Sequence, residues 1–217
     1  MRVTGLILGF LGALYAVFYI VPPAAGLGNL VRIAFFHIPV AWVSVLAFFL
    51  SAYWGGQYLR KREMDYDWKS SSAAALGLVF CLLATVSGAI FAKLTWGAYW
   101  NWDPRQTTIF ILLLIYGAYM VLRSAISDEE ERAKISAVYG LVSFLTVPFL
   151  VFIIPRFYAS LHPEPVINGK GTLGMDTTMV AVLMFTLCIV TAAFWQMLQY
   201  LVNRKKHAAQ LENCSEE

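Results

Sequence analysis

Six long apolar runs alternate with short polar segments along the chain. Each run is close to the roughly 20 residues that a helix needs to cross the hydrocarbon core of a bilayer. None of the runs contains Asp, Glu, Lys, Arg or His. A segment that faces lipid must satisfy its own backbone hydrogen bonds, so the pattern predicts helices. The predicted spans are residues 5–21, 38–59, 73–92, 107–122, 135–154 and 177–201, and residues 203–217 form a polar, mobile tail.

Composition supports a membrane protein. Of 217 residues, 59% are apolar and only 13% are charged, whereas soluble domains carry about 25% charged residues. The fold class predicted is therefore all-α: one polytopic bundle of six transmembrane helices over residues 1–217, with a short Trp-rich helix or loop outside the membrane. A net charge of +3 is too small to indicate a nucleic-acid partner. The three cysteines are far apart and form no CxxC or CxxCH, so neither a disulfide framework nor a c-type haem attachment is indicated.

The basic residues predict the orientation of the bundle. If the N-terminus lies inside, eleven of the 16 Lys and Arg residues fall on inner segments. The positive-inside rule then places both termini in the cytoplasm. Five basic residues remain on the outer side, and they are Arg32, Lys93, Arg105, Arg156 and Lys170. The first run also resembles a secretory signal peptide with a cleavage region at residues 22–25, but it is long for a signal core, so a retained helix is favoured.

Two of the three histidines, His37 and His162, fall on the same outer side in this topology, while His207 lies in the polar tail. A single histidine beside a span is most often an ordinary interfacial residue, and His37-Ile38-Pro39 predicts a helix start with Pro39 in the first turn. Two imidazoles that converge from separate loops are the arrangement that holds haem iron from both sides. No further ligand type stands nearby, so haem is better supported than copper or zinc.

The loop after the third span carries four aromatic residues between Trp96 and Trp102. Such residues often form a simple interfacial belt. If the loop is helical, Trp96, Tyr99 or Trp100, and Asp103 share one stripe, and the indoles offer a surface for a flat apolar macrocycle. Asp103-Pro104 also predicts the start of the fourth helix. The neighbouring Arg105 is the first candidate to pair with carboxylates of a ligand.

These residues carry a family resemblance. The stretch from Trp96 to Arg105 resembles the tryptophan-rich "WWD" signature of the haem-handling proteins of cytochrome c maturation, and the stretch from Val31 to Trp42 resembles the first-histidine region of that family. His162 lies where the second histidine is expected. The larger relatives, CcmF and CcsA, have extra spans that 217 residues do not accommodate, so the chain resembles the small CcmC-type members.

The resemblance implies a function. His37 and His162 would be axial ligands of a transiently and non-covalently bound haem b, on the outer side of the bacterial inner membrane. The protein would not be an enzyme; it would present haem to the chaperone CcmE and work with the ABC transporter subunits CcmA and CcmB and with the small membrane protein CcmD. The haem-binding residues implied are His37, His162, Trp96, Tyr99, Trp100, Trp102, Asp103, Arg105 and Arg156.

Three alternatives stay open. A b-type cytochrome would also use paired histidines, but inside its helices, and no predicted span contains a histidine. A small-solute transporter would show ionisable residues or broken helices near the midplane; the predicted spans lack charges, although Pro148 predicts a kink. A structural membrane subunit without a ligand is the third alternative.

Overall fold

All the regular elements of the described residues are helices. A computed structural model describes residues 3–162 and 175–216 of the chain, with side chains described as far as residue 211. The elements are α1 (Val3–Tyr15), a π-helical turn (Ala16–Ile20), a 3₁₀ turn (Asn29–Ile33), α2 (Ala34–Lys61), α3 (Met64–Trp96), α4 (Pro104–Ala125), α5 (Glu129–Pro148), a second π-helical turn (Phe149–Ile153), α6 (Ile154–Phe157) and α7 (Thr177–Glu216).

Six helical segments of the described chain are long and apolar enough to cross a membrane. The predicted all-α polytopic fold is confirmed. The helices run beyond the apolar runs, most clearly in α3, which begins nine residues before the predicted span and ends four residues after it. Hydropathy marks the part of a helix that lies in lipid, and it does not mark where the helix ends.

The most extensive contact between helices of the described chain is that of α2 with α3. In the core, Gly77 of α3 makes room for the ring of Phe48, because a Cβ at residue 77 would lie 2.6 Å from that ring. The Phe48 ring stacks in turn on Tyr116 of α4, with 3.5 Å between ring centroids. Helices α5 and α7 pack on α2 from other sides, and α1 packs on α7.

The two ends of the bundle differ in their residues. We call the end where α2 begins, α3 ends and α4 begins the histidine end, because His37 and His162 lie there. The opposite end, where α2 ends and α3 begins, is called the basic end. Helix α5 ends at Pro148 and is followed directly by the π-helical turn Phe149–Ile153. The sequence predicts a kink at this proline.

The C-terminal segment departs from the expected mobile tail. Helix α7 continues to Glu216 instead of ending near residue 201. Two lysines hold this extension against α3: Lys205 Nζ donates a hydrogen bond to Ser71 Oγ at 2.7 Å, and Lys206 forms an ion pair with Asp65. The helix therefore continues into the polar segment, where its lysines find polar partners on the neighbouring helix.

Candidate functional site

His37 lies inside α2, and this placement corrects two expectations. The helix begins at Ala34, so Pro39 stands inside the helix rather than in its first turn, and a candidate span does contain a histidine. The preceding 3₁₀ turn supplies the helical start that the sequence pattern placed at residue 38. The argument against a b-type cytochrome that relied on histidine-free spans is thus overturned.

The imidazole of His37 packs against α3. Its Nδ1 lies 3.0 Å from Ser87 Oγ, and the Ser87 hydroxyl donates to the carbonyl oxygen of Leu83 at 2.8 Å. With the hydroxyl proton directed to Leu83, the Nδ1–H tautomer of His37 donates to Ser87 Oγ and leaves Nε2 as the nitrogen that can bind a ligand. The ring lies on Gly88, where a Cβ would come within 3.0 Å of its Cε1 atom.

His162 follows α6 in an irregular segment that folds back over the ends of α3 and α4. Its Nδ1 lies 3.2 Å from Asp103 Oδ1, within ion-pair distance but outside hydrogen-bond geometry. Its ring meets the indole of Trp96 edge-on, with 5.0 Å between centroids. Since Nδ1 faces the carboxylate, Nε2 is again the nitrogen left for a ligand.

The electrostatics of His162 favour a neutral ring. Burial is the main cause that lowers its pKa to about 4; the charges of Arg105 and His37 lower it further, and the Asp103 carboxylate acts in the opposite direction. The imidazole is therefore unprotonated at neutral pH, as a metal ligand must be. His37 contributes to this shift although it lies 125 positions away in the sequence.

Asp103 organises this end of the bundle. Its Oδ1 accepts a hydrogen bond from the backbone N–H of Arg105 at 2.9 Å, which confirms the predicted cap of α4. Its Oδ2 accepts two more, from Ser160 Oγ at 2.9 Å and from the Leu161 N–H at 2.8 Å. Burial alone would raise the pKa of this carboxyl, but the three hydrogen bonds and His162 hold it below its ordinary value. One carboxylate thus caps a helix and tethers the His162 segment.

The Trp-rich loop is not helical, so the predicted stripe does not form. Trp96 is the last residue of α3, and Gly97 ends the helix in the left-handed region with φ +86°. Residues 97–103 are irregular, and Trp102 also has a positive φ of 55°. Glycine adopts this conformation at no steric cost, which explains the end of α3 at that position.

The loop is held by the side chain of Gln106, a buried residue of the first turns of α4. Its Oε1 accepts a hydrogen bond from the Asn101 N–H at 2.8 Å, and its Nε2 donates to the Tyr99 carbonyl oxygen at 3.2 Å. The indole of Trp100 lies edge-on to that of Trp102, with 5.7 Å between centroids. The fixed loop keeps large aromatic surfaces accessible: Tyr99 is 60% and Trp102 73% exposed.

The basic residues predicted for this side have different surroundings. Arg105 has a buried Nε without a hydrogen-bond partner among the described residues. Arg156, in α6, is exposed and donates to the carbonyl oxygen of Phe152. Arg32 lies over the ring of Phe18, and Lys93 donates to the Gly97 carbonyl oxygen. Lys170 lies outside the described residues.

Nε of Arg105 is buried without a hydrogen-bond partner within the described part of the chain, whereas Nδ1 of His162 has a carboxylate oxygen of Asp103 at 3.2 Å. A guanidinium group is a donor that suits a carboxylate of a ligand. The described residues contain no cluster of three or more His, Cys, Asp and Glu that could hold a metal ion. The groups that this site offers to a ligand are thus two imidazoles, a guanidinium group and an aromatic surface.

Sequence reasoning missed the residues that support this site: Ser87, Gly88, Gln106 and Ser160. Only the Ser87-Gly88 pair gives a signal, since a glycine within an apolar helical run indicates close approach of another group. The contacts of Gln106 and Ser160 depend on the path of the loops, which a hydropathy pattern does not describe.

Comparison with known proteins finds similarity along nearly the whole chain. A family model described as "Heme exporter protein C" (CcmC) matches residues 1–215. The chain is 29% identical to the Heme exporter protein C of Bradyrhizobium diazoefficiens over 193 residues, which are 87% of this chain and 73% of that protein. It is 30% identical to the protein of the same name from Rhodobacter capsulatus over 159 residues, 73% of this chain and 63% of that protein. It is also 33% identical to the Cytochrome c biogenesis protein CcsA of Coffea arabica, over 46% of this chain and 30% of that protein.

Proposed function

Because the chain belongs to the Heme exporter protein C family, we propose that it binds haem b at the histidine end of the bundle and presents it to the chaperone CcmE. Family membership supports a haem-handling role in cytochrome c maturation. Binding is non-covalent and transient, so that the haem can pass on, and the chain is a carrier rather than an enzyme. The other partners proposed are CcmA, CcmB and CcmD.

The observation that carries the proposal is that His37 and His162 lie at the same end of the bundle. The two residues come from different segments, and each has its Nδ1 directed at a polar partner, Ser87 Oγ in one case and Asp103 Oδ1 in the other. A histidine that ligates a metal commonly uses its second ring nitrogen in this way, which fixes the ring and the tautomer. Both rings therefore have the chemistry of axial ligands to haem iron.

The surroundings of the two imidazoles suit the rest of a haem. The exposed aromatic surface of Tyr99 and Trp102 and the half-buried indoles of Trp96 and Trp100 can cover a flat apolar ring by offset stacking. The guanidinium of Arg105, whose Nε is buried without a partner in the described structure, can pair with a propionate. Arg156 is a second candidate for that role, and Asp103 acts by positioning His162.

The proposed location follows from charge. Eleven of the 16 basic residues fall on the segments that include the basic end and the termini, so we propose that this end faces the cytoplasm and that the histidine end faces the periplasm. A shallow site with exposed Trp102 at the periplasmic surface is accessible to a chaperone. These features favour a haem carrier over a transmembrane electron carrier, because His162 lies outside the candidate spans.

Replacement of the two histidines tests the proposal. We expect H37A and H162A each to reduce the haem retained by the purified protein at least about tenfold, since loss of a ligand costs no less than loss of a group that supports one. The matched control is H207A, which removes the exposed histidine of α7 at the opposite end. Absorption spectra and pyridine haemochrome assays measure the bound haem. If the two single variants and the double variant keep the spectrum of the parent, the axial assignment is wrong.

A further inference from the structure

A polar cavity opens at the basic end, opposite the end that holds His37 and His162. Its volume is about 320 Å³, which is near the lower limit of about 300 Å³ for pockets that hold small ligands. Four helices contribute to its wall. The residues that line it are Asp67 and Trp68 of α3, Arg123 of α4, Glu129 and Arg132 of α5, and Lys205, Ala208 and Ala209 of α7.

The charges around this cavity do not balance. Three cations and two carboxylates line it. Both carboxylate oxygens of the buried Asp67 accept hydrogen bonds from the guanidinium of Arg123, at 2.7 and 2.8 Å. The charges of these two residues therefore neutralise each other. Arg132 lies 3.6 Å from the exposed Glu129, and a pair of that kind is weak and readily exchanged. The wall therefore keeps one positive charge in excess.

Lys205 is the residue that carries this excess. Its ammonium group donates a hydrogen bond to Ser71 Oγ at 2.7 Å, which is an uncharged partner. No carboxylate among the described side chains pairs with it, in contrast to Lys206, which pairs with Asp65. A partly buried ammonium group without a counter-ion is costly, and an anion in the cavity would remove that cost.

We propose that this cavity binds a phosphate group, held by Lys205 and Arg132 beside the Asp67–Arg123 ion pair. An ammonium and a guanidinium are the usual protein donors to phosphate oxygens. Basic pockets between helix ends at a membrane surface bind the head groups of anionic lipids, and the indole of Trp68 is typical of that interface. The same donors also accept a soluble phosphate, so the two sources are separated by experiment.

The test uses the full chain, purified in an uncharged detergent and freed of lipid, at constant ionic strength. The probes are inorganic phosphate, a short-chain phosphatidylglycerol and, as the zwitterionic reference, the matching phosphatidylcholine. A ligand that binds only the folded chain raises the unfolding temperature with its concentration. We expect saturable stabilisation by phosphatidylglycerol, by inorganic phosphate or by both, and the emission of Trp68, taken as the difference from W68F, should change over the same concentrations.

Two variants locate the effect. K205M should weaken binding about tenfold, because one charge-assisted hydrogen bond is lost, and R132Q, on the more exposed rim, should weaken it about threefold. The control K134M removes the same charge from an exposed position of α5 that does not line the cavity. Stabilisation by the lipid alone identifies a head group, and stabilisation by free phosphate identifies a soluble ligand; both support the site. Absence of stabilisation by either anion, or equal weakening in K134M and R132Q, overturns the proposal.

Discussion

Two aspartates, one at each end of the bundle, begin helices and behave differently. Asp128 caps α5 at the basic end: its Oδ1 accepts a hydrogen bond from the Glu131 N–H at 2.7 Å, and its side chain is exposed. Asp103 caps α4 at the histidine end, is buried, and binds Ser160 and Leu161 as well. The same local signal serves secondary structure at one end and the candidate site at the other.

The contrast extends to the charged groups around the two caps. At the basic end the carboxylates of Asp65 and Asp67 are paired with basic residues of the chain, and Lys205 is the exception. At the histidine end, Nδ1 of His162 lies 3.2 Å from Asp103 Oδ1, and the buried Nε of Arg105 lacks a hydrogen-bond partner among the described residues. At each end, the proposed site includes a cationic side chain, Lys205 or Arg105, that forms no ion pair among the described residues.

Replacement of the two caps gives the largest expected difference. D103A removes the cap of α4 and two hydrogen bonds to the His162 segment, which together are worth about 3 kcal/mol, and we expect haem binding to fall at least about tenfold. D128A removes only a cap, worth about 1 kcal/mol, and should leave haem binding unchanged. Thermal unfolding and haem titration measure the two effects. If D103A and D128A bind haem with equal affinity, Asp103 does not support the proposed haem site.

Two glycines provide a smaller, steric test. A Cβ at residue 88 would lie 3.0 Å from Cε1 of His37, whereas a Cβ at residue 117 has no neighbour within 4 Å. G88A should displace the imidazole and weaken haem binding about fivefold, as expected for a side chain forced from its rotamer. G117A should change nothing at the site. Haem titration measures the affinity of both variants. If G88A binds haem as tightly as the parent, the position of His37 is not critical.

The smallest effect is expected from two serines that support the two histidines. S160A removes one hydrogen bond that ties the His162 segment to Asp103, and S87A removes the partner of His37 Nδ1. We expect S160A to speed haem dissociation about threefold and S87A to change it less, because α2 and α3 hold His37 by packing. Stopped-flow transfer to apomyoglobin gives both rates. If haem dissociates faster from S87A than from S160A, the support of His37 matters more than that of His162, and this prediction is wrong.

The sequence predicts the six helices well, because apolar runs of membrane length have few other solutions. It predicts their ends poorly, since the ends depend on partners: Lys206 finds Asp65 on another helix, and α7 continues past residue 201. That His37 and His162 share one end of the bundle follows from the number of spans between them. The end of α3 at Trp96 depends on the left-handed Gly97, and the contacts of Asp103 with residues 160 and 161 are tertiary. No local pattern contains such contacts.

The two histidines, His37 and His162, lie in segments of different kinds. His37 belongs to a helix of 28 residues, whereas His162 lies in an irregular stretch whose contacts with the bundle include Asp103 and the indole of Trp96. Segments without regular structure open at lower free energy than packed helices. In the proposed site, His162 is therefore the ligand that we expect to dissociate from the iron first, and haem can leave without separation of the helices.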